Sequence, residues 1–284
     1  MNKMKNAVFF IGFSYTAEAL MRQLSDSATE FLATARTEGR ARELEARNIT
    51  PVPIWEGAEA ASIPEGADWL VSAPPDDEGC PGYRQFSDQA RTARWIGYLS
   101  TTGVYGDRNG GWVFEWSEVS PDSPRGERRV KAERQWLESG GPAHVFRLPG
   151  IYGPGRSALE RLEEGKARRI IKPGQVFSRV HVDDIASCLL ASMKRPNPGR
   201  AYHPCDDEPA PPQDVIEYAA RLLEKPIPPD VPFESADLSP MARSFYAECK
   251  RVSNARTKSE LGWYPTFADY RDGLKAIDGS SART

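Results

Sequence analysis

Ala7-Val8-Phe9-Phe10-Ile11-Gly12-Phe13-Ser14-Tyr15-Thr16-Ala17 sets a five-residue apolar run against a glycine and then a segment of helical character. A continuous apolar run, unlike an alternating one, belongs to a strand buried on both faces, and a glycine at its end permits the tight turn into a helix. The turn reads G-x-S-x-x-A where a dinucleotide-binding turn reads G-x-G-x-x-G. Gly12 makes the turn, Ser14 stands where backbone must approach a pyrophosphate, and small Ala17 lets the helix pack close to the strand. Phe13, Tyr15 and Thr16 complete a segment whose helix start, with its N–H groups and positive dipole end, suits phosphate. A plain strand-to-helix turn remains open on this motif alone.

Outward from that turn, further apolar runs recur at Phe31–Ala35, Ile49–Ile54, Trp69–Ser72, Trp95–Leu99 and Val145–Leu148. Charged segments of helical character separate most of them, and Thr16–Leu24, Glu38–Arg47 and Gly126–Leu137 read as helices, the last stopped by Gly140-Gly141. The alternation points to an α/β fold, a doubly wound parallel Rossmann sheet. After Gly150 the texture changes to proline-punctuated helices without regular strand alternation. The expected division is therefore a dinucleotide-binding domain over 1–150 and a smaller, mixed C-terminal substrate lobe over 151–284, with some of its segments returning to the sheet. Gly279–Thr284 reads as a polar tail that frays.

The chain has 284 residues, 37 Lys and Arg against 40 Asp and Glu, and a formal charge of −3, so no global positive field draws it to nucleic acid or an anionic membrane. The four cysteines, at 80, 188, 205 and 249, are too scattered for a disulfide framework. Lys3 and Lys5 precede an apolar run too short for a secretory leader, and no stretch reaches the ~18 apolar residues of a membrane span. A cytoplasmic protein is the expectation. His144, His181 and His203 lack metal-ligand spacing, so no metal site is expected.

Arg36 stands 24 residues after Gly12, where a site selective for NAD carries an acid on the ribose 2′-hydroxyl. An arginine there pairs with a 2′-phosphate instead, which favours NADP(H) and leaves NAD(H) open. Arg40 and Arg42 are candidate helpers, and all three also fit as solvated charges of a helix face.

Four later segments resemble, in order and spacing, the extended and atypical short-chain dehydrogenase/reductases of the NAD-dependent epimerase/dehydratase group. They are Tyr98-Leu99-Ser100-Thr101-Thr102-Gly103-Val104-Tyr105-Gly106-Asp107, Arg147-Leu148-Pro149-Gly150-Ile151-Tyr152-Gly153-Pro154-Gly155-Arg156, Arg179-Val180-His181-Val182-Asp183-Asp184-Ile185-Ala186, and Glu260-Leu261-Gly262-Trp263-Tyr264-Pro265. The resemblance implies that Ser72, Ala73, Ser100 and Pro149 border the cofactor. It makes Thr101, four residues before Tyr105, the hydroxyl that polarises the substrate oxygen. Thr102, Arg125, Tyr152, Arg156 and Arg179 fall on its substrate side, the last two within a basic stretch that also holds Arg168, Arg169 and Lys172.

The departure from the family lies on the helix that should carry Y-G-x-x-K. With Gly126 and Glu133 aligned, Arg125 replaces the tyrosine and Arg129 the lysine, and no tyrosine lies between Tyr105 and Tyr152. An arginine stays protonated and cannot exchange protons as a phenol does. His181 is the titratable candidate to stand in, with Asp183 expected as the N-cap of an apolar helix over Ile185–Met193. Trp112, Phe114 and Trp116 alternate as a short strand or loop. The expected function is that of an oxidoreductase-like protein acting on a small polar or sugar-like substrate, anionic or nucleotide-linked, without the usual Tyr/Lys pair. The alternative is a non-catalytic NADP(H)-binding or redox-sensing protein. Nothing in the sequence fixes the oligomeric state.

Overall fold

A computed structural model describes residues 6–24, 29–57 and 62–281; Lys3, Lys5 and residues 282–284 of the tail lie outside the described residues. The chain forms two compact units, one of residues 1–101, 124–147 and 186–202, the other of residues 102–123, 148–185 and 203–284.

In the first unit the chain runs β1 (Ala7–Ile11), α1 (Tyr15–Gln23), β2 (Glu30–Ala35), α2 (Glu38–Glu45), β3 (Thr50–Pro53), β4 (Asp68–Val71), α3 (Pro81–Phe86), β5 (Trp95–Thr101) and α4 (Pro124–Leu137). The seven-stranded sheet has the order Ala201–Tyr202, Ala143–Leu148, β5, β4, β1, β2, β3. β1 pairs in parallel with β2 on one side and β4 on the other, Ile11 lying opposite Val71. The chain therefore winds away from β1 in both directions, and the carboxyl ends of β1 and β4 form the switch point at which open α/β sheets bind ligands. Every residue of β1, β4 and Ala143–Leu148 is buried, which is why apolar residues dominate them, with Asp68, His144 and Arg147 the polar exceptions. Phe9 packs edge-on against Trp69 and Phe86 at 5.4 and 5.1 Å, closing the core on one face of the sheet.

The observed strands match the runs read from the sequence to within a residue or two. Helix α3 was not anticipated: it is a short segment whose local signal is Pro81 in its first turn. Caps set the other starts. The Ser14 hydroxyl accepts the Ala17 N–H to open α1, and Thr37 accepts the Arg40 N–H to open α2.

The second unit contains strand pairs too short to produce a readable alternation. Gly150–Tyr152 pairs with Arg179–His181, Arg169–Ile171 with Asp230–Pro232, and Trp112–Val113 with Arg251–Val252, all in parallel. The core of this unit gathers Tyr152, Leu159, Ala219, Tyr270, Leu274 and Ile277. They come largely from the helices Ala158–Glu163, Pro212–Leu222 and Tyr270–Ser281. The Leu261-Gly262-Trp263 turn is a helix stop: Gly262 has a φ of 61° and its N–H bonds the Lys258 carbonyl, a left-handed cap that disfavours any residue with a Cβ.

One capping expectation is corrected. The helix begins at Val182, so Asp183 sits inside its first turn, and the acceptor for the Asp183 N–H is the His181 Nδ1 at 3.2 Å. Asp184 instead turns outward from its helix to accept the backbone N–H groups of Thr266 and Phe267, at 2.7 and 3.0 Å.

Candidate functional site

The turn after β1 is assembled from three strands of the first unit. Gly12 has a φ of 85°, its N–H donates to the Thr34 hydroxyl of β2 at 2.9 Å, and its carbonyl accepts the Ser72 hydroxyl at 2.6 Å. A Cβ on Gly12 would sit 3.1 Å from both the Ala73 nitrogen and the Ser72 Oγ. The backbone at the switch point is thus packed as closely as glycine allows, and the start of the nine-residue helix α1 faces the loop. Thr16 and Ala17 are buried against the sheet, and Ser14 spends its hydroxyl on the cap.

Arg36 follows the last residue of β2 and is exposed. Arg40 comes back from α2 toward the same loop: its guanidinium donates to the Phe13 carbonyl at 3.3 Å and pairs with Glu43 at 2.6 Å. Arg42 lies on the outer face of α2, paired with Glu38. Arg36 thus directly follows β2, and the Arg40 guanidinium reaches the Gly12 turn from α2.

The carboxyl end of β5 is held by a buried polar network. The Ser100 hydroxyl donates to Glu133 of α4, whose carboxylate takes a forked set of bonds from Arg147 at 3.1, 3.2 and 2.8 Å. Ser100, Glu133 and Arg147 are all buried. Ser100 therefore faces the helix with its hydroxyl engaged, and its neighbour Thr101, on the opposite face of the strand, is half-buried at the strand end. Arg129, at the position of the family lysine, folds back to donate to the Leu99 carbonyl at 2.8 Å and the Tyr98 hydroxyl at 3.2 Å. Burial pushes the Tyr98 phenol above its ordinary pKa, so it is no substitute for the missing acid/base. Arg125 is exposed in the first turn of α4.

The loop after β4 is fastened to α3 and to α4. Asp76 takes a two-pronged bond from Arg84 at 2.9 and 2.6 Å, Asp77 pairs with Arg128 at 2.7 Å, and Gln135 bonds both Cys80 and Glu78. Sequence reading missed this strap, because its α4 partners lie 51–57 residues along the chain from the loop.

In the second unit, Thr102 opens a short 3-10 turn to Tyr105. The Tyr105 hydroxyl donates to His203 Nε2 at 2.7 Å, and His203 Nδ1 donates to the Ser253 carbonyl at 2.8 Å, which fixes the tautomer. His181 is buried beside the rings of Tyr152 and Phe267, at 5.3 and 4.3 Å. Its Nδ1 accepts the Asp183 N–H at 3.2 Å and lies 3.7 Å from the Asp183 carboxylate. Pro149 is half-buried and Arg156 exposed. Arg169 is used up by Glu217 and Asp230. Arg179 and Tyr152 lie in one cluster, to which Asp206, unread in the sequence, also belongs. Trp112 and Val113 form a short strand; Trp116 stacks on Phe114 at 5.0 Å beneath Arg256. Among the described residues no cluster of His, Cys, Asp and Glu is placed to hold a metal, and no helix is long and apolar enough to cross a membrane.

No protein-family model matches the chain. The structure of a functionally unknown conserved protein from Silicibacter pomeroyi is 47% identical, superposes with a TM-score of 0.88, and matches 97% of this chain and 99% of its own. Two more distant structures share the fold at 15% identity and a TM-score of 0.71. One is dTDP-glucose 4,6-dehydratase from Bacillus anthracis in complex with NAD, matched over 98% of this chain and 97% of its own; the other is a human epimerase family protein with NADPH, over 96% and 99%. Among curated proteins, a 3-diazoavenalumate denitrifying reductase from Streptomyces is 31% identical over 143 residues. That match spans 46% of this chain and 45% of the reductase, less than half the length of that relative. The chain thus belongs to one family with the conserved Silicibacter protein, and its fold is the Rossmann fold of the NAD-dependent epimerase/dehydratases and short-chain dehydrogenase/reductases.

Proposed function

We propose that the protein is an NADP(H)-dependent reductase of small polar substrates that works without a tyrosine acid/base. The observation that carries this reading is the Gly12 turn, where a Cβ would meet Ala73 and Ser72 at 3.1 Å, with Arg36 directly after β2 and the Arg40 guanidinium reaching the turn from α2. Those residues fit a dinucleotide: the turn and the start of α1 take the pyrophosphate, and the two guanidiniums take a 2′-phosphate. The reductase named among the relatives supports the reaction class.

The bound nicotinamide supplies the hydride. Thr101 donates its hydroxyl to the substrate atom that gains negative charge, and the Ser100–Glu133–Arg147 network holds the strand end in place beneath it. Arg129 keeps the end of β5 against α4 through Leu99 and Tyr98. The proton comes from solvent or from the substrate, because His181 is buried with its Nδ1 committed to the backbone. A cytoplasmic setting and a small-molecule partner, with no nucleic acid or membrane, complete the reading.

NADPH and NADH titrations of the wild type and of Arg36→Ala test the cofactor assignment. A charge-assisted bond of about 1.5–3 kcal/mol predicts a preference for NADPH of roughly tenfold to a hundredfold that Arg36→Ala removes. Equal affinities in the wild type would end the assignment. Thr101→Val should lower turnover about 10²-fold with NADPH affinity unchanged. The folded-back Arg129 favours a second reading, a non-catalytic NADP(H) sensor, which would give tight NADPH binding and no oxidation with any substrate tried.

A further inference from the structure

Arg179 is the most unusual charge in the second unit. Its Nη1 is pinned to the carbonyls of Phe177 and Ala210 at 2.8 and 3.0 Å, and among the described residues it has no carboxylate in ion-pair contact. Burial pulls its pKa down from the ordinary value, and the groups that face it are Asp206 and the hydroxyls of Tyr270, Tyr152 and Tyr246. Asp206 does not neutralise it by contact. Both Asp206 carboxylate oxygens are buried without a hydrogen-bond partner among the described residues, and burial drives that carboxyl toward its protonated form. The neighbouring acids are satisfied: Asp207 holds Asn254 and Lys258, and Glu208 forks onto Arg271 at 2.8 Å on each prong. Among these three consecutive acids the carboxylate without a contact is that of Asp206, and the partners of the Arg179 guanidinium are backbone carbonyls rather than an acid.

Beside this guanidinium stands an aromatic wall. Tyr246 packs against the Phe177 ring at 5.5 Å and the Phe233 ring at 5.2 Å, and Phe233 lies between the Lys172 ammonium and the Arg243 guanidinium at 5.4 and 5.0 Å. Phe177, Phe233 and Tyr246 are half-buried, and Phe245 beside them is exposed. A half-desolvated cation without an anion is costly, and partly exposed rings next to it offer apolar area to a flat ligand.

We infer that the second unit binds a planar aryl carboxylate, with the carboxylate on Arg179 and the ring against Tyr246 and Phe233. As the substrate class of the reductase this rests on the function proposed above; as a binding site it stands on the second unit alone.

The test is calorimetric titration of the whole protein with cinnamate, cinnamamide and 3-cyclohexylpropionate, with NADPH titrated separately. Cinnamate should bind at least tenfold more tightly than the neutral amide and than the saturated acid. Arg179→Gln should lose about tenfold to a hundredfold in cinnamate affinity. Because that variant gives up two backbone contacts, Phe233→Leu serves as a second one, expected to weaken cinnamate at least fivefold and leave NADPH binding unchanged. Absence of cinnamate binding at millimolar concentration, or equal binding of the amide or the saturated acid, overturns the inference. If NADPH binds normally in that case, the cofactor reading survives; if cinnamate binds and NADPH does not, only the reductase assignment fails.

Discussion

Replacing Arg147 with Met isolates the energy of the network beneath Thr101. The guanidinium makes three contacts of 2.8–3.2 Å with Glu133, and both side chains are buried. Methionine keeps an unbranched apolar stem but has no donor, and strands the Glu133 carboxylate away from water with only the Ser100 hydroxyl in place of the fork. Breaking a buried pair from one side costs about 3–5 kcal/mol. Arg42→Met is the internal control, because the Arg42–Glu38 pair is 76% and 74% exposed and one helical turn apart, a pair of the kind that contributes about 0.3–0.5 kcal/mol. Urea denaturation should show the Arg147 variant falling by several kcal/mol with the same dependence on urea, and the Arg42 variant nearly unmoved. Adding Glu133→Leu to Arg147→Met should restore most of the loss, since it removes the stranded charge. An Arg147 variant no less stable than the Arg42 variant, or a double variant as unstable as the single one, would refute this account.

Three further outcomes follow from the same contacts. The Arg84 bond holds the Asp76 carboxyl down to about 2, so NMR titration should find its midpoint there, returning toward ~3.9 in Arg84→Ala; the contribution of this group to folding is full above ~3.9 and is lost as pH falls through about 2. Tyr105→Phe takes the donor from buried His203 Nε2 and should lower stability by about 1–3 kcal/mol in urea melts, whereas Tyr264→Phe, on an exposed ring, should not. Gly12→Ala puts a Cβ 3.1 Å from Ala73 and Ser72 at a φ of 85°, and should abolish NADPH binding in fluorescence titrations while circular dichroism stays native-like.

The sheet was legible in the sequence because burial on both faces leaves a local signature. Ala7–Ile11 is apolar throughout since no face of the strand meets water, and within Val145–Leu148 only Arg147 breaks the apolar run, its charge met by buried Glu133. The Gly12 turn, Ser14 at the helix start and the place of Arg36 directly after β2 were legible for a similar reason: each is fixed by the residue's distance along the chain from a strand end. The short strands after Gly150 were not legible, because two or three residues are too few to display a period.

What only the tertiary structure decided concerns partners brought together by packing. Sequence alignment marked Arg129 as a replaced lysine, but only the fold shows it turned back onto Leu99 and Tyr98, thirty residues away. His181 looked like a titratable substitute in its motif, and only the fold shows it buried beside Tyr152 and Phe267 with its Nδ1 accepting the Asp183 N–H. Asp206 carries no signal at all, being one acid among three in a row. Its distinction is that its two neighbours find cations and it does not, and that depends on which side chains the fold places around each carboxylate. Strand and turn identities are set by short-range sterics and solvation, which a sequence displays directly; the charge state and reach of a buried group are set by neighbours distant in sequence, which it does not display.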